Sequence, residues 1–433
     1  GNAGLAETAA LLPVPVVSVP GLGQAVGRIA DRFYGHPSHG LIIIGVTGTD
    51  GKTSCSHFMA QALNSDDRRC GLIGTLGYGL LDELTAGTHT TPDALTLQQA
   101  LRTMQRQGAR CVVSEVSSHA MDQGRARGVT FDLAVLTNLS RDHLDYHGSL
   151  EAYAAAKRKL FLSEGLRYAV INADDDFGRA LLDAIPPGVA PVAYRLEGGP
   201  FATRFPAQWV IGRNLQFDAG GMCLDVVTPW GSGRLCCSLL GRFNASNLLA
   251  TLASVCVAGL PFEEAMRRLA HTRTVPGRME CFDVGPGRPL VVVDYAHTAG
   301  ALEAALKSLR AHCGGSLWCV FGAGGDRDRG KRPLMGAVAE RYADRVVLTD
   351  DNPRTEDSQQ IIDDVCAGLQ RPEDAHIDHN RAHAIGWAMQ SASADDIVLI
   401  AGKGHETVQI TGTKAVPFSD RERVRAIARD WAL

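Results

Sequence analysis

A chain of 433 residues exceeds what one hydrophobic core normally serves, so two or three domains are expected. Apolar residues at 45% against 21% charged, with 47 glycines, exclude a disordered or fibrous protein. The 43 basic and 47 acidic residues leave a net charge of -4, with no dense Lys/Arg block, which argues against nucleic acid or a membrane surface as partner.

The eleven cysteines fall at irregular spacings, one pair being the adjacent Cys236-Cys237, and none forms C-x-x-C. They read as reduced core residues of a cytosolic protein. No apolar run approaches the roughly 20 residues needed to span a bilayer. The chain opens at Gly1 rather than Met, which leaves a removed targeting segment open.

Residues 1–40 contain Pro13-Val14-Pro15-Val16-Val17 and a helix-like stretch at 24–34, and read as the tail of a domain. From residue 41 a βα grammar sets in, with short aliphatic runs that end in polar and glycine residues and lead into helical periodicity. The runs are 41–44, 111–114, 133–136 and 168–171, feeding the polar clusters 45–53, 115–119, 137–145 and 172–176. An alternating, turn-rich stretch at 209–240 suggests a small antiparallel addition, followed by a helix at 244–258 and a boundary near 272–276. The grammar then resumes with runs 291–293, 317–321, 346–349 and 397–400, ahead of polar clusters 294–297, 322–329, 350–354 and 402–406. Two open α/β sheets follow, with ligands expected in the crevices outside the strands' carboxyl ends.

Gly48-Thr49-Asp50-Gly51-Lys52-Thr53, after the first run, reads as a phosphate loop, with Ser54 beside it. Its glycines let backbone N–H groups curl round phosphates at a helix N-terminus, Lys52 would meet the outer phosphates, and Thr53 would ligate Mg2+. Tight strand-to-helix packing is the bland alternative. Val46 stands where the general pattern wants glycine, so the match is to a Gly-x-x-Gly-Thr-x-Gly-Lys-Thr variant. Glu115, at a strand end, is placed to complete a Mg2+ shell or to serve structure alone. Arg141-Asp142-His143-Leu144-Asp145-Tyr146-His147 concentrates ionisable groups that suit a ligand or metal, or else a solvated loop. Lys157 taken alone is a solvated helical lysine. Asn244 and Asn247 either cap their helix or meet an adenine, and Asn352-Pro353 alone is turn chemistry.

With His89-Thr90-Thr91-Pro92, Glu115-Val116-Ser117-Ser118-His119, Thr137-Asn138-Leu139 and Asp142-His143-Leu144-Asp145, the chain from Pro13 onward resembles the Mur ligase superfamily, and within it the diaminopimelate-adding members. The resemblance implies an α/β protein of three domains: a remnant of an N-terminal UDP-binding domain (1–40), a central ATP-binding phosphate-loop domain (41–272) and a C-terminal Rossmann-like amino-acid domain (273–433). It implies ATP-dependent joining of meso-diaminopimelate to UDP-N-acetylmuramoyl-L-alanyl-D-glutamate in cytoplasmic peptidoglycan precursor synthesis, by a monomer using ATP and Mg2+. Glu115, His143 and a carbamylated Lys157 would hold metal with Thr53. Thr90, Thr91, Ser117, Gln123 and Arg125 would line the muramoyl-dipeptide site. Arg327, Asp351, Asn352, Pro353, Arg354, Gly402 and Glu406 would read the incoming amino acid, Arg354 offering a fork-shaped cation to the carboxylate that lysine lacks.

Asp50 replaces the commoner asparagine of that family's phosphate loop, and Ala299-Gly300 replace Pro-Asp. A lysine-adding ligase, a folylpolyglutamate synthase-like ligase and a nucleotide-gated binding protein are the rival readings. Because phosphate-loop and amino-acid-reading residues lie far apart in sequence, hinge closure on nucleotide binding is expected.

Overall fold

The structure, a computed structural model, describes residues 19–203, 207–218 and 220–432. The Pro-Val stretch assigned to the N-terminal remnant lies outside them, whereas the helix expected at 24–34 is present as Leu22–Phe33.

The first sheet contains β1 (Ile42–Thr47), β2 (Arg69–Gly74), β3 (Gly77–Leu80), β4 (Glu83–Thr85), β5 (Ala109–Glu115), β6 (Leu133–Leu136), β7 (Tyr168–Asn172), β8 (Ala190–Leu196), β9 (Gln208–Asp218), β10 (Gly221–Thr228) and β11 (Gly231–Cys237). Their order across it is β11-β10-β9-β8-β7-β6-β1-β5-β2-β3-β4. Pairing is parallel from β9 to β2 and antiparallel at both margins. The antiparallel addition expected at 209–240 is present as β9, β10 and β11, antiparallel to one another, and it extends the first sheet because β9 pairs in parallel with β8.

Alternation along each central strand feeds two cores. Ile44 and Val46 pack with Phe58, Met59, Leu248 and Leu249 on one face, and Ile43 with Phe131, Leu160 and Phe161 on the other. Each such side chain contributes about 1.5–3 kcal/mol on burial, which is why the run is apolar without alternation. Strand order reverses around β1, flanked by β5 and β6, so the loop after it opens at the crevice that a doubly wound sheet offers to ligands.

The second sheet contains β12 (Glu280–Phe282), β13 (Leu290–Asp294), β14 (Leu317–Phe321), β15 (Arg345–Leu348), β16 (His376–Ile377) and β17 (Ile397–Ala401), ordered β12-β13-β17-β14-β15-β16 and parallel except at β12. A hairpin, β18 (Val408–Thr411) and β19 (Lys414–Pro417), follows. The buried Arg381 guanidinium clasps the buried Asp420 carboxylate at 2.7 and 2.8 Å and donates to the Ala401 carbonyl at 2.9 Å. It thereby ties the end of β17 to the last helix, Asp420–Ala432.

The cysteines correct the expectation of uniformly reduced thiols. Cys223 and Cys236, directly opposed on β10 and β11, form a disulfide, because that register brings their Cα atoms to 4.1 Å. Cys55, Cys70, Cys111, Cys237, Cys256 and Cys319 are free and buried. Among the described residues no helix is long and apolar enough to cross a membrane.

Candidate active site

The loop after β1 is strapped to the segment after β6. Thr137 Oγ1 donates to the Asp50 carbonyl at 2.6 Å, and the N–H groups of Thr49 and Asp50 donate to the backbone and side-chain oxygens of Asn138 at 3.0 and 2.9 Å. Gly48 adopts φ 151°, and a side chain there would run into Thr137 Oγ1. Gly51, at φ 80°, sits so close to Asn247 that a Cβ would lie 2.6 Å from its Oδ1. The helix Lys52–Leu63 begins directly behind Gly51 without a side-chain cap, so its first N–H groups remain available to an anion. Lys52 Nζ donates to the carbonyls of Gly48 and Thr49 at 2.9 and 2.7 Å. Burial draws its pKa below the lysine range, against the opposing pull of Glu115 and Asp50.

Glu115 ends β5 fully buried at 1% exposure. Its carboxylate accepts from Thr53 Oγ1 at 2.9 Å, the Thr75 N–H at 2.9 Å and Thr75 Oγ1 at 3.2 Å. Burial raises its pKa, while the Thr75 N–H, Lys52 and the hydroxyls oppose the rise. A carboxylate touching a hydroxyl beside a phosphate loop is a hard-oxygen donor set of the kind that suits Mg2+, which takes one or two carboxylates plus phosphate oxygens. Among the described residues no group of three or more His, Cys, Asp or Glu is placed to hold a metal.

Lys157 overturns its solvated reading. The helix Leu150–Phe161 buries Tyr153, Ala156, Lys157, Leu160 and Phe161, a 3-4 spacing that puts Lys157 on the apolar face. Its Nζ donates to the Gly48 carbonyl at 2.6 Å and lies 4.3 Å from the Tyr153 ring centre. Burial, with Lys52 nearby, lowers its pKa to about 6. The helical period of that stretch carried the signal. His143 takes a left-handed backbone at φ 51° and stacks edge-on to His119 at 4.8 Å.

These groups share one cavity of about 610 Å³, lined by Thr49 to Ser54, Thr75, Thr90, Glu115, Ser117, Asn138, His143, Tyr153 and Lys157. Phe243, Asn244 and Asn247 close it from the helix Arg242–Val257, and Arg278, Met279, Asp294, Ala301 and Ala305 from the second sheet's side. The capping alternative for the two asparagines fails: the helix has Gly241 at its N-cap and no side-chain cap. Asn244 Nδ2 instead donates to the Leu240 carbonyl at 2.8 Å, and Asn247 Nδ2 to Asn244 Oδ1 at 3.2 Å. Thr75, Asn138, Tyr153, Arg278 and Asp294 went unassigned from sequence. Asp294 had a signal, since it closes a strand like Glu115; Arg278, in the loop before β12, had none.

Of the other expected groups, Thr90 and Ser117 line the cavity, whereas Thr91 does not. Thr91 Oγ1 is spent internally, donating to the Glu115 carbonyl at 2.8 Å and accepting from the Ser117 N–H at 3.1 Å. Arg125 donates to the Thr91 carbonyl and to Gln123 Oε1 at 3.0 and 2.8 Å, forming one network beside the cavity.

Arg327, Asp351, Asn352, Pro353, Arg354, Gly402 and Glu406 lie outside that cavity, and most converge at the carboxyl ends of β15 and β17. Asn352 Nδ2 donates to Glu406 Oε2 at 3.0 Å, and Arg354 donates to the Gly325 carbonyl at 2.7 Å. Arg354 holds φ 53°, pinned by its N–H to the Ile410 carbonyl; strain of about 1–3 kcal/mol at a non-glycine residue is typical of functional loops. Asp351 is buried, and desolvation raises its pKa against the influence of Arg381 and Lys403. Arg327 is exposed and donates only to the neighbouring Asp326 carbonyl at 3.2 Å among the described contacts.

Comparison with known proteins adds lineage to this geometry. Residues 46–255 match the Mur ligase middle domain and residues 277–404 the Mur ligase, glutamate ligase domain. The chain is 53% identical over 411 residues to the UDP-N-acetylmuramoyl-L-alanyl-D-glutamate--2,6-diaminopimelate ligase of Alkalilimnicola ehrlichii, covering 95% of this chain and 81% of that one. It is 50% identical over 412 residues to the ligase of the same description from Coxiella burnetii, with 95% and 83% covered. A solved structure bearing that description superposes with a TM-score of 0.76 at 39% identity, covering 96% of this chain and 84% of the other. A Mycobacterium tuberculosis folylpolyglutamate synthase, at 19% identity and a TM-score of 0.66 with 92% and 95% covered, shares the fold.

Proposed function

This chain belongs to the Mur ligase family, and from that premise we propose that it joins meso-diaminopimelate to UDP-N-acetylmuramoyl-L-alanyl-D-glutamate, using ATP, in peptidoglycan precursor synthesis. The observation that carries the reading is the shared cavity, in which a phosphate loop with Lys52 and the Thr53–Glu115 pair faces Arg278 and Asp294 from the other sheet. A nucleotide seated there would lie between the two halves of the chain, with its phosphates toward the acceptor residues Thr90 and Ser117.

Lys52 and the free N–H groups of its helix hold the triphosphate while the glutamyl carboxylate attacks the γ-phosphorus. ADP leaves and an acyl phosphate remains, whose carbonyl the amine of diaminopimelate then attacks, releasing phosphate. Mg2+, held through Thr53 and Glu115, would supply charge neutralisation between carboxylate and triphosphate. Asn244 and Asn247, which line the cavity, are read as the residues beside the base of the nucleotide. Arg354, Asp351 and Glu406 supply a fork-shaped cation and acceptors for the far amino-carboxylate end of diaminopimelate, which argues against lysine. Residues 41–272 and 273–433 are read as the ATP-binding and amino-acid domains, and the protein as a cytoplasmic monomer. Incubation with ATP, the UDP-muramoyl dipeptide and either diaminopimelate or lysine should yield, by mass spectrometry, an amide product with diaminopimelate alone; a product of equal yield with lysine sinks the assignment.

Lys157 is read as a carbamate. Its buried amine, with a pKa near 6, is mostly neutral at pH 7.5 and can attack the carbon of carbon dioxide, losing a proton to give an anionic oxygen donor near His143. Lowering the pH through 6 protonates the amine and stops the reaction. With 13C-bicarbonate, a carbamate NMR signal is expected at pH 7.5, lost below pH 6 and absent in Lys157→Met; no signal at pH 7.5 overturns it.

A further inference from the structure

Lys403 is a fully enclosed cation of the second sheet's crevice, at 0% exposure. Gly402 and Gly404 on either side take φ 116° and 53°, conformations that turn the intervening side chain inward. A Cβ at Gly402 would lie 2.6 Å from Asp351 Oδ2, and one at Gly404 would lie 2.7 Å from both the Gly277 carbonyl and Tyr295. Both positions flanking Lys403 therefore require glycine.

Its ammonium donates to Asn352 Oδ1 at 3.0 Å and to Glu406 Oε2 at 3.0 Å, and lies 4.0 Å from Asp351 Oδ1. Three of the residues read as contacting the amino acid thus meet at one buried cation. Asn352 Oδ1 also accepts the Ile410 N–H at 2.9 Å, so both donors on that oxygen fix which way the amide faces. Its Nδ2 then points to Glu406 Oε2 at 3.0 Å. That carboxylate oxygen accepts from both Lys403 and Asn352, so Oε1 is the one left for a ligand. Burial would raise the Glu406 pKa, yet the bonds from Lys403 and Asn352 outweigh it and hold the group ionised below the usual carboxylate range.

We propose that Lys403 is a positioning residue of the amino-acid pocket, a buried ammonium that locks the Asn352 amide and one Glu406 oxygen so that the other oxygen meets the ammonium of a diamino acid. The proposal rests on the reading of 351–354 and 402–406 as the amino-acid site. A buried cation between two carboxylates also offsets their mutual repulsion. Being fully enclosed, Lys403 acts through its neighbours and does not touch substrate.

Steady-state kinetics on the complete chain test it. Lys403→Met keeps the side chain's length and removes its charge; it is expected to raise KM for diaminopimelate about tenfold or more while KM for ATP stays within about twofold, since Lys403 does not line the nucleotide cavity. Lys403→Arg should recover part of the loss. If KM for both substrates moves together, or neither moves, the proposal falls. Glu406→Gln is measured alongside. If it leaves KM for diaminopimelate unchanged, the amino-acid reading of the cluster fails and takes the proposal with it. If it raises KM and Lys403→Met does not, the role of Lys403 alone fails. Should Lys403→Met not fold, Lys403→Gln is judged by the same criterion, and failure of both to fold assigns the lysine to stability and overturns the proposal.

Discussion

Lys52→Met is expected to lower turnover by about a thousandfold or more while leaving the melting transition in place, because the lost cation stabilises the charge that shifts between the phosphates during phosphoryl transfer. In the structure its ammonium sits against the Gly48 and Thr49 carbonyls, 2.9 and 2.7 Å away, so the side chain is already folded over the loop that would hold the phosphates. The deficit should fall mainly on kcat, with ATP still bound through the backbone N–H groups of the loop. Because burial lowers the Lys52 pKa, the cation is lost earlier on the alkaline side than an exposed lysine would be, so wild-type activity should decline as pH rises toward the lysine range. Single-turnover measurement of ADP release decides the matter, and release at the wild-type rate in Lys52→Met would remove the phosphate loop from the mechanism.

Charge reversal at Arg354 should act on choice of substrate instead. Arg354→Glu is expected to lower kcat/KM for diaminopimelate by roughly a hundredfold or more, and for lysine by much less, since only the former brings a second carboxylate to the guanidinium. The backbone there is strained at φ 53° and held by the Ile410 carbonyl and the Gly412 N–H, so the loop keeps its course when the side chain changes. Competition between the two amino acids, with products weighed by mass spectrometry, reads the ratio directly; an unchanged ratio would detach Arg354 from specificity.

Both variants act at a distance from each other. The phosphate-loop cavity takes its second wall from Arg278, Asp294 and Ala301, whereas Arg354 and Glu406 lie outside it. The amine and the acyl phosphate must meet, and closure of the two halves on nucleotide binding is the expectation that small-angle scattering with an ATP analogue would test.

Local chemistry was legible in the residues themselves. A strand run that stops at Gly48, Glu115 or Asp351 announces a polar loop at a sheet's carboxyl edge, because parallel strands buried on both faces are continuous apolar runs and cannot tolerate those residues earlier. The phosphate loop is legible that way, whereas Asp351 to Arg354 alone read as turn chemistry and are tied to the amino acid only by the family resemblance. Which loops face each other was not legible. Lys157 reaches Gly48 across 109 positions, Lys403 gathers Asn352 and Glu406, and β9 joins the antiparallel addition to β8 of the first sheet. Local pattern specifies which face of an element is apolar; docking between elements depends on long-range packing and on the entropy of closing the intervening chain, and neither leaves a mark on any short stretch. So the sequence by itself determined two α/β sheets and the chemical inventory at their edges, and only the tertiary structure decided that a lysine on a helix's apolar face would end beneath the phosphate loop, where burial lowers its pKa.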